Sequence, residues 1–360
     1  TGVWGYILGA ILGLFPLFAL TGATFLRALF PELPVMPVAL ALLAFFYVTN
    51  LFGARIATWV QAVLVVILFS ALFLFIGAGL PQIQLANLRP LFPGGAGGFA
   101  VASAILTFTI LGSNAAVELG DEIIRPERNI PRSFLISIPI VTVIYIVMAI
   151  VATGIVPYAP GADSALSAIA GRFLSGFSFG YFIVAGGVLA VVTTLNATYL
   201  WGTKSLLMIA EDGLFPMGLA RVNKRFGTPH WFLTLIFIGS AAALLIAGER
   251  VETLAVFASI GGIIIFIPVM GAALRLKHVR PDLYERSELK LKGFAYVAAP
   301  VVGLVLSVVI IAILLVDLST HEDGMVFLAF FGIWIAVGAA YARARTRVLR
   351  AADRKALEPG

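Results

Sequence analysis

The sequence predicts an all-α polytopic membrane protein, and three observations carry that prediction. Of 360 residues, 61% are hydrophobic and 12% charged, with a mean hydropathy of +1.06. Apolar residues make up only about half of a soluble domain, so this chain lacks the polar residues to cover a water-facing surface. Several apolar runs approach or exceed the roughly 20 residues that cross about 30 Å of hydrocarbon as a helix. Short alternating segments, which would mark a transmembrane β-barrel, do not occur.

Ten candidate spans follow, at about 2–30, 36–52, 56–80, 99–124, 133–157, 177–206, 230–247, 251–275, 294–316 and 324–342. The second and third are separated only by NLFGAR at 50–55, read as a tight turn around Gly53. Ten spans return the C-terminus to the starting side. If that side is cytoplasmic, only Arg27, Arg89, Arg172 and Arg250, four of the 24 Lys and Arg residues, fall outside. Positive charge on cytoplasmic loops sets orientation, so the asymmetry supports both count and direction. The net charge of +6 and the pI of 9.7 are therefore topology signals. No soluble basic module exists to bind nucleic acid.

The chain has no Cys, which excludes structural disulfides and thiolate metal sites. His230, His278 and His321 lie in or beside loops without metal-ligand spacing, so no metal site is assigned. No Walker, GxSxG or HExxH motif is present, which counts against a pump, a hydrolase and a membrane protease. The chain begins with Thr, and nothing before its first span resembles a signal peptide.

One span departs from the apolar pattern. AVASAILTFTI, from Ala100, runs into LGSNAAVELGDEIIRPERNIPR, from Leu111 to Arg132. Two threonines, a glycine, a serine and an asparagine between Thr107 and Asn114 stand near the middle of the fourth span. Backbone at membrane depth may leave the helix only where it faces protein or a water-filled cavity. Gly112 loosens the helix, and Ser113 or Asn114 can cap a half-helix that restarts behind it. Broken helices of this kind form substrate and ion sites in secondary transporters. The plainer reading is a small-residue packing face against a neighbouring helix. Glu118, Glu122 and Arg125 then share one helix face, Asp121 pairs with Arg125 at i, i+4, and Pro126 ends the helix before a basic loop. Asp121 and Glu122 read as a solvated helix end tied by ion pairs. Glu118 lies deeper, where an ionisable group is either functional or neutralised by Arg125.

FTILGSNAAVELGDEIIRPERNIPR resembles the sixth-helix signature of the amino acid–polyamine–organocation (APC) superfamily. TTLNATYLWGTKSLLMIAEDGLFPMGLARVNKRFGTPH, residues 193–230, looks like the end of that family's eighth helix and its following cytoplasmic loop. NLFGARIATWVQAV resembles its turn between helices four and five. The resemblance implies a leucine-transporter-type fold of two inverted five-helix repeats, with this chain holding helices three to twelve and lacking the first two. Residues 1–80 would complete the first repeat, 99–275 would form the second, 294–342 the last two helices and 343–360 a basic cytoplasmic tail.

The resemblance also implies roles. Phe108 matches the aromatic that closes over substrate in arginine/agmatine-type antiporters. Thr109, Ile110, Leu111 and Gly112 match the unwound segment whose backbone meets the amino group, with Ser113 and Asn114 at the restart. Some antiporters carry a proton-sensing carboxylate at the position of Asn114, and an amide cannot titrate. Thr193 and Thr194 match a hydroxyl pair that ligates sodium in relatives of this fold, and hard cations do take oxygen ligands. Their plain alternative is bonding to their own helix at i−4. Leu68 stands where some proton-coupled members place a Lys. Na⁺ or H⁺ are thus the candidate coupling ions, Glu118 is a further coupling candidate, and no cofactor is implied.

The expected function is secondary active transport of amino acids across the cell membrane by alternating access. Apart from Glu118 no acidic residue lies deep in a span, which favours a neutral substrate. An amino acid/amine exchanger, a non-transporting sensor or partner subunit, and a channel are the alternatives; a pore would need polar lining along several helices. The expected partners are the substrate and the lipid bilayer, with a homodimer as the candidate assembly. SALSAIAGRFLSG, 164–176, suits an outer re-entrant helix. Lys204 suits a snorkelling or loop-pairing group, and Trp4, Tyr6, Trp231 and Trp334 suit interface anchors.

Overall fold

The computed structural model describes residues 2–53, 58–107, 109, 112, 115–118, 120, 123–157, 165–287, 290–320 and 324–357. Among them there is no strand. The helices are α1 (Val3–Leu29), α2 (Val35–Leu51), α3 (Thr58–Gly79), α4 (Gly95–Ile105), α5 (Ala115–Glu118), α6 (Pro126–Ile155), α7 (Leu166–Ala170), α8 (Gly176–Glu211), α9 (His230–Ala247), α10 (Val251–Val279), α11 (Pro281–Arg286), α12 (Phe294–Ser319) and α13 (Gly324–Leu357). Eight are long and apolar enough to cross a membrane, and the chain is a multi-pass membrane protein. Of the other two expected spans, 36–52 is the 17-residue α2, and 99–124 is divided among the described residues into α4 and α5.

Helix α1 is the axis of the bundle. In its most apolar window 71% of the residues are buried, against 11% in α13. Its small residues let α10 approach to backbone contact. A Cβ added at Gly261 would lie 2.1 Å from the Gly9 nitrogen, and one at Gly13 would lie 2.5 Å from the Ala258 nitrogen. Membrane helices gain nothing from leaving lipid for another apolar surface, so they associate by such close packing and by hydrogen bonds between helices. Within this contact α1 widens into a π-helical stretch, Ile7–Leu14. The buried Ser240 of α9 donates to the Ile11 carbonyl there at 2.8 Å. A second wide stretch, Phe182–Val188 in α8, packs against α1 where Gly187 admits the Phe25 ring.

Three clusters fill the interior. Phe15, Leu20, Leu43, Leu195, Tyr199, Phe232 and Leu254 join α1, α2, α8, α9 and α10. Leu8, Ala104, Phe257, Leu314 and Phe331 join α1, α4, α10, α12 and α13. Phe75, Val151, Ile169 and Phe182 join α3, α6, α7 and α8. The expected re-entrant helix is the five-residue α7, anchored by buried Ile169 and Ala170.

The loop after α8 is built by its own residues. Gly213, at φ 75°, closes α8: its N–H donates to Ala210, and that of Leu214 donates to Ile209. This is a glycine C-cap, which consumes carbonyls the helix leaves open. Asn223 then accepts the N–H groups of Arg225 and Phe226 on its side chain, and Gly227 bonds back to the Asn223 carbonyl. Thr228 donates to the Leu51 carbonyl at 2.9 Å, docking the loop on the end of α2. The residues of the 193–230 motif that cap and turn the chain thus serve the loop's geometry.

One reading needs correction: RPERNIPR does not form a loop, because α6 begins at Pro126. Proline suits the first helical position, where its missing N–H would have had no partner. The basic tail is helical as far as Leu357, continuing α13 without a break. Trp4 and Trp334 are packed on each other with ring centroids 5.2 Å apart, and each indole N–H donates to the other's backbone carbonyl. They join α1 to α13. Trp231, in the first turn of α9, is half exposed. The side chain of Tyr6 lies outside the described residues.

The α1–α10 contact predicts that Gly261→Ala destabilises the protein by about 1–3 kcal/mol, because the added methyl meets backbone that no rotamer change can move. Thermal unfolding in detergent measures this. Gly77→Ala, where nothing lies within 4 Å of the added carbon, is the control and should cost nothing.

Candidate functional site

The candidate site lies in the span 99–124. The continuous helix of α4 stops at Ile105, and α-helix resumes among the described residues at Ala115. Beyond it the described residues Leu106, Thr107, Thr109 and Gly112 have 3-10 geometry, and hydroxyls bond the carbonyls at this change of helix type. Thr107 Oγ1 donates to the Ala104 carbonyl at 2.5 Å, Ser259 Oγ to Ile105 at 2.8 Å, and Thr109 Oγ1 to Leu106 at 2.7 Å. Two of the hydroxyls are local, whereas Ser259 reaches across from α10 and is fully buried. Each carbonyl has a second lone pair, so the end of α4 keeps acceptor capacity for a donor arriving from the cavity. Gly112 is exposed, and a Cβ there would meet nothing within 4 Å.

Of the residues expected to hold substrate, Thr109 and Gly112 are therefore located. Phe108, Ile110, Leu111, Ser113 and Asn114 lie outside the described residues, as does the side chain of Glu118. The backbone of Glu118 ends α5, which packs against the Leu189–Glu211 part of α8. Thr193 and Thr194 are near the start of that same part. Thr193 Oγ1 donates to the carbonyls of Leu189 and Ala190 at 2.9 and 3.0 Å, and Thr194 Oγ1 to Ala190 at 2.7 Å. Both hydroxyl protons are thus used within the helix, which leaves oxygen lone pairs to face a cation. Thr193 is buried and Thr194 half-buried.

Sequence reasoning missed three polar elements. Ser259 is one; it reads as a small residue in an apolar run, and only the fold brings it to Ile105. The second is a pair within the bundle. Asn50, buried at the end of α2, donates to Asn196 of α8 at 3.3 Å and to its own Phe46 carbonyl at 2.9 Å. Asn50 had been placed in a turn, although α2 runs on to Leu51. Beside this pair a cavity of about 170 Å³ is lined by Asn50, Thr203, Lys204 and Thr228, which puts Lys204 between α8 and the docked loop.

The third lies at the opposite end of α9 and α10, around GERVE at 248–252. A cavity of about 540 Å³ adjoins the end of α4, lined by Ile105, Arg250, Glu252 and Asp317. A larger one of about 900 Å³ shares Val251 and Glu252 with it and is lined by Thr21, Arg27 and Ser167. Arg27, lining the larger cavity, pairs at 3.7 Å with Glu249, which lines the smaller, and the Arg250 guanidinium lies over the Phe327 ring. The α1–α10 bundle thus opens at this end into a vestibule carrying both signs of charge, with the hydroxyl-capped end of α4 at its edge. In sequence the five charges were visible only as residues of loops and helix ends. No group of three or more His, Asp or Glu suited to a metal occurs among the described residues.

Comparison with known proteins fits this geometry. The chain is 26% identical over 278 residues to the branched-chain amino acid permease BcaP of Bacillus subtilis, covering 76% of this chain and 55% of that one. It is 26% identical over 286 residues to the methylthioribose transporter of the same organism, covering 79% and 59%. It is 28% identical over 193 residues to the vacuolar cationic amino acid transporter 4 of Arabidopsis thaliana, covering 53% and 32%. The chain therefore spans little more than half the length of the first two relatives. The profile described as amino acid permease matches residues 2–338, from α1 to the middle of α13, and the chain belongs to the amino acid permease family.

Proposed function

We propose that the protein to which this chain belongs is a secondary active transporter that carries amino acids, neutral ones by preference, across the cell membrane by alternating access. The observation that carries the reading is the interrupted helix between Ile105 and Ala115, in a member of the amino acid permease family. Backbone at membrane depth departs from the α-helix only where it faces protein or a water-filled cavity, and such departures form substrate sites in secondary transporters. In this reading the substrate's ammonium meets carbonyls of the 109–112 segment and its carboxylate the restart at Ser113 and Asn114. Phe108 closes over it. The five residues of this set without described positions enter by resemblance alone.

The ends of the protein are proposed to lie in the cytoplasm, with the Arg27–Glu249 vestibule outside. The charge asymmetry of the loops supports that orientation. The chain is proposed to hold helices three to twelve of a leucine-transporter-type fold. Thr193 and Thr194 are the proposed ligands of a coupling sodium ion, and their free lone pairs and position on the helix that α5 touches support it. A cationic substrate is the second reading. It is favoured by Glu118, the one carboxylate deep in a span, and by relatives named for cationic amino acids.

Uptake into proteoliposomes of the intact protein tests the function. Saturable uptake of labelled leucine, competed by valine and isoleucine but not by arginine, is expected. Competition by arginine alone would favour the second reading, and uptake of methylthioribose without any amino acid would overturn both. Two variants test the roles. Ser259→Ala, which frees the Ile105 carbonyl, should cost about 1 kcal/mol of stability and raise the leucine KM several-fold. Thr194→Ala should leave stability within about 0.5 kcal/mol and abolish sodium dependence of uptake; unchanged dependence would remove the ion assignment.

A further inference from the structure

A separate cavity, of about 200 Å³, lies where α13 meets the first turns of α1, on the side of the bundle that carries the 211–230 loop. Its walls include Trp4, Gly5, Ile264, Trp334 and Tyr341, and Arg345 stands at one end. The aromatic walls are held rigidly. The Trp4 ring stacks on Tyr341 at 5.6 Å and closes on Gly338, where a Cβ would lie 2.2 Å from the ring. Both indole N–H groups are spent on backbone carbonyls, and the Tyr341 hydroxyl donates to Leu214 at 2.6 Å. What faces the cavity is therefore ring surface and aliphatic carbon, with one cation.

The length of α13 sets the depth of that cation. Its 34 residues extend about 51 Å, well beyond the roughly 30 Å of bilayer hydrocarbon. Arg345 lies about 32 Å along the helix from Gly324, level with the polar headgroups if α13 starts at the opposite boundary. Trp334 lies about 15 Å along, near the bilayer centre. Among the described residues Arg345 makes one hydrogen bond, from Nε to the Gly213 carbonyl, and no ion pair. Its terminal nitrogens are thus left for a ligand. Arg343 and Arg347 are exposed beside it, Arg350, Arg354 and Lys355 follow in sequence, and no acidic residue occurs from Gly324 to Ala352.

We propose that this cavity is a binding site for an anionic membrane phospholipid, with its phosphate on Arg345 and a length of acyl chain along Trp4, Trp334 and Ile264. Basic pockets between membrane helices at headgroup level select anionic lipids by charge. Apart from Arg345 the lining is apolar and aromatic, which suits an acyl chain better than a free anion. The bound lipid would bridge α13, α1 and the loop at Gly213 and Leu214, so it would fasten the last helix to the core. This site is independent of the transport site and of the direction of insertion.

Bromine on an acyl chain quenches tryptophan on contact, and two of the five tryptophans line the site. The intact protein is placed in phosphatidylcholine nanodiscs containing brominated phosphatidylglycerol or brominated phosphatidylcholine. The fluorescence that Trp4→Phe and Trp334→Phe remove should reach half-quenching at about fivefold lower mole fraction of the anionic lipid. Arg345→Gln should abolish that preference, while Arg345→Lys and the double variant Arg343→Gln, Arg347→Gln should keep it. Excess inorganic phosphate should leave it unchanged. Equal quenching by the two lipids would overturn the proposal, as would a preference that survives Arg345→Gln in folded, monodisperse protein. Loss of the preference in the Arg343, Arg347 variant would assign it to general surface attraction and overturn the site equally.

Discussion

Where α1 crosses α10 the two backbones touch, with Gly9 against Gly261 and Gly13 against Ala258. In a bilayer that contact takes the place of the hydrophobic effect, which cannot drive one apolar helix out of lipid and onto another. It determines more than the position of two helices. Ser259 lies two residues before Gly261, about 200° around α10. Ala258, next to Ser259 and about 100° from it, faces α1 as well, so α10 is pressed on α1 along one face while its flank presents the hydroxyl that bonds the end of α4. The end of α4 is placed by the same crossing that defines the core.

A second constraint runs alongside it, the need to pair every backbone group at membrane depth. Three irregularities in the long helices have their hydroxyl or their cap. The π-helical stretch in α1 receives Ser240, the end of α4 receives Thr107, Ser259 and Thr109, and α8 ends on Gly213. The Gly213 and Leu214 carbonyls that project beyond that cap are taken by Arg345 and Tyr341 of α13. The result is a core of α1, α2, α8, α9 and α10 with α12 and α13 fastened to it at defined points. A mixed-sign vestibule lies around 248–252, and the basic tail lies at the other end of α13.

Much of this was legible in the residues. Every expected span except 99–124 contains one continuous helix, because runs of apolar residues have few alternatives in lipid. The interruption in 99–124 was legible as well, since Gly, Ser, Asn and two Thr inside such a run oppose its continuation. Boundaries were read less well. Pro126 was taken as a stop, when a proline that lacks an N–H is equally suited to be a start. Trp4 and Trp334 were read by residue type alone, and only the fold shows that each backbone carbonyl accepts the other's indole N–H.

The sequence by itself determined the class of protein, the order of its apolar segments and the residue types in the span that departs from the apolar pattern. These follow from composition and local pattern, which every residue carries with it. Only the tertiary structure decided which distant groups meet: Ser259 with Ile105, Asn50 with Asn196, Arg27 with Glu249, and Arg345 with the loop after α8. Each pair is separated by more than a hundred residues and carries no local signature. The pairing exists because helices that cross at small residues bring particular turns into register, and that register is a property of the packed bundle.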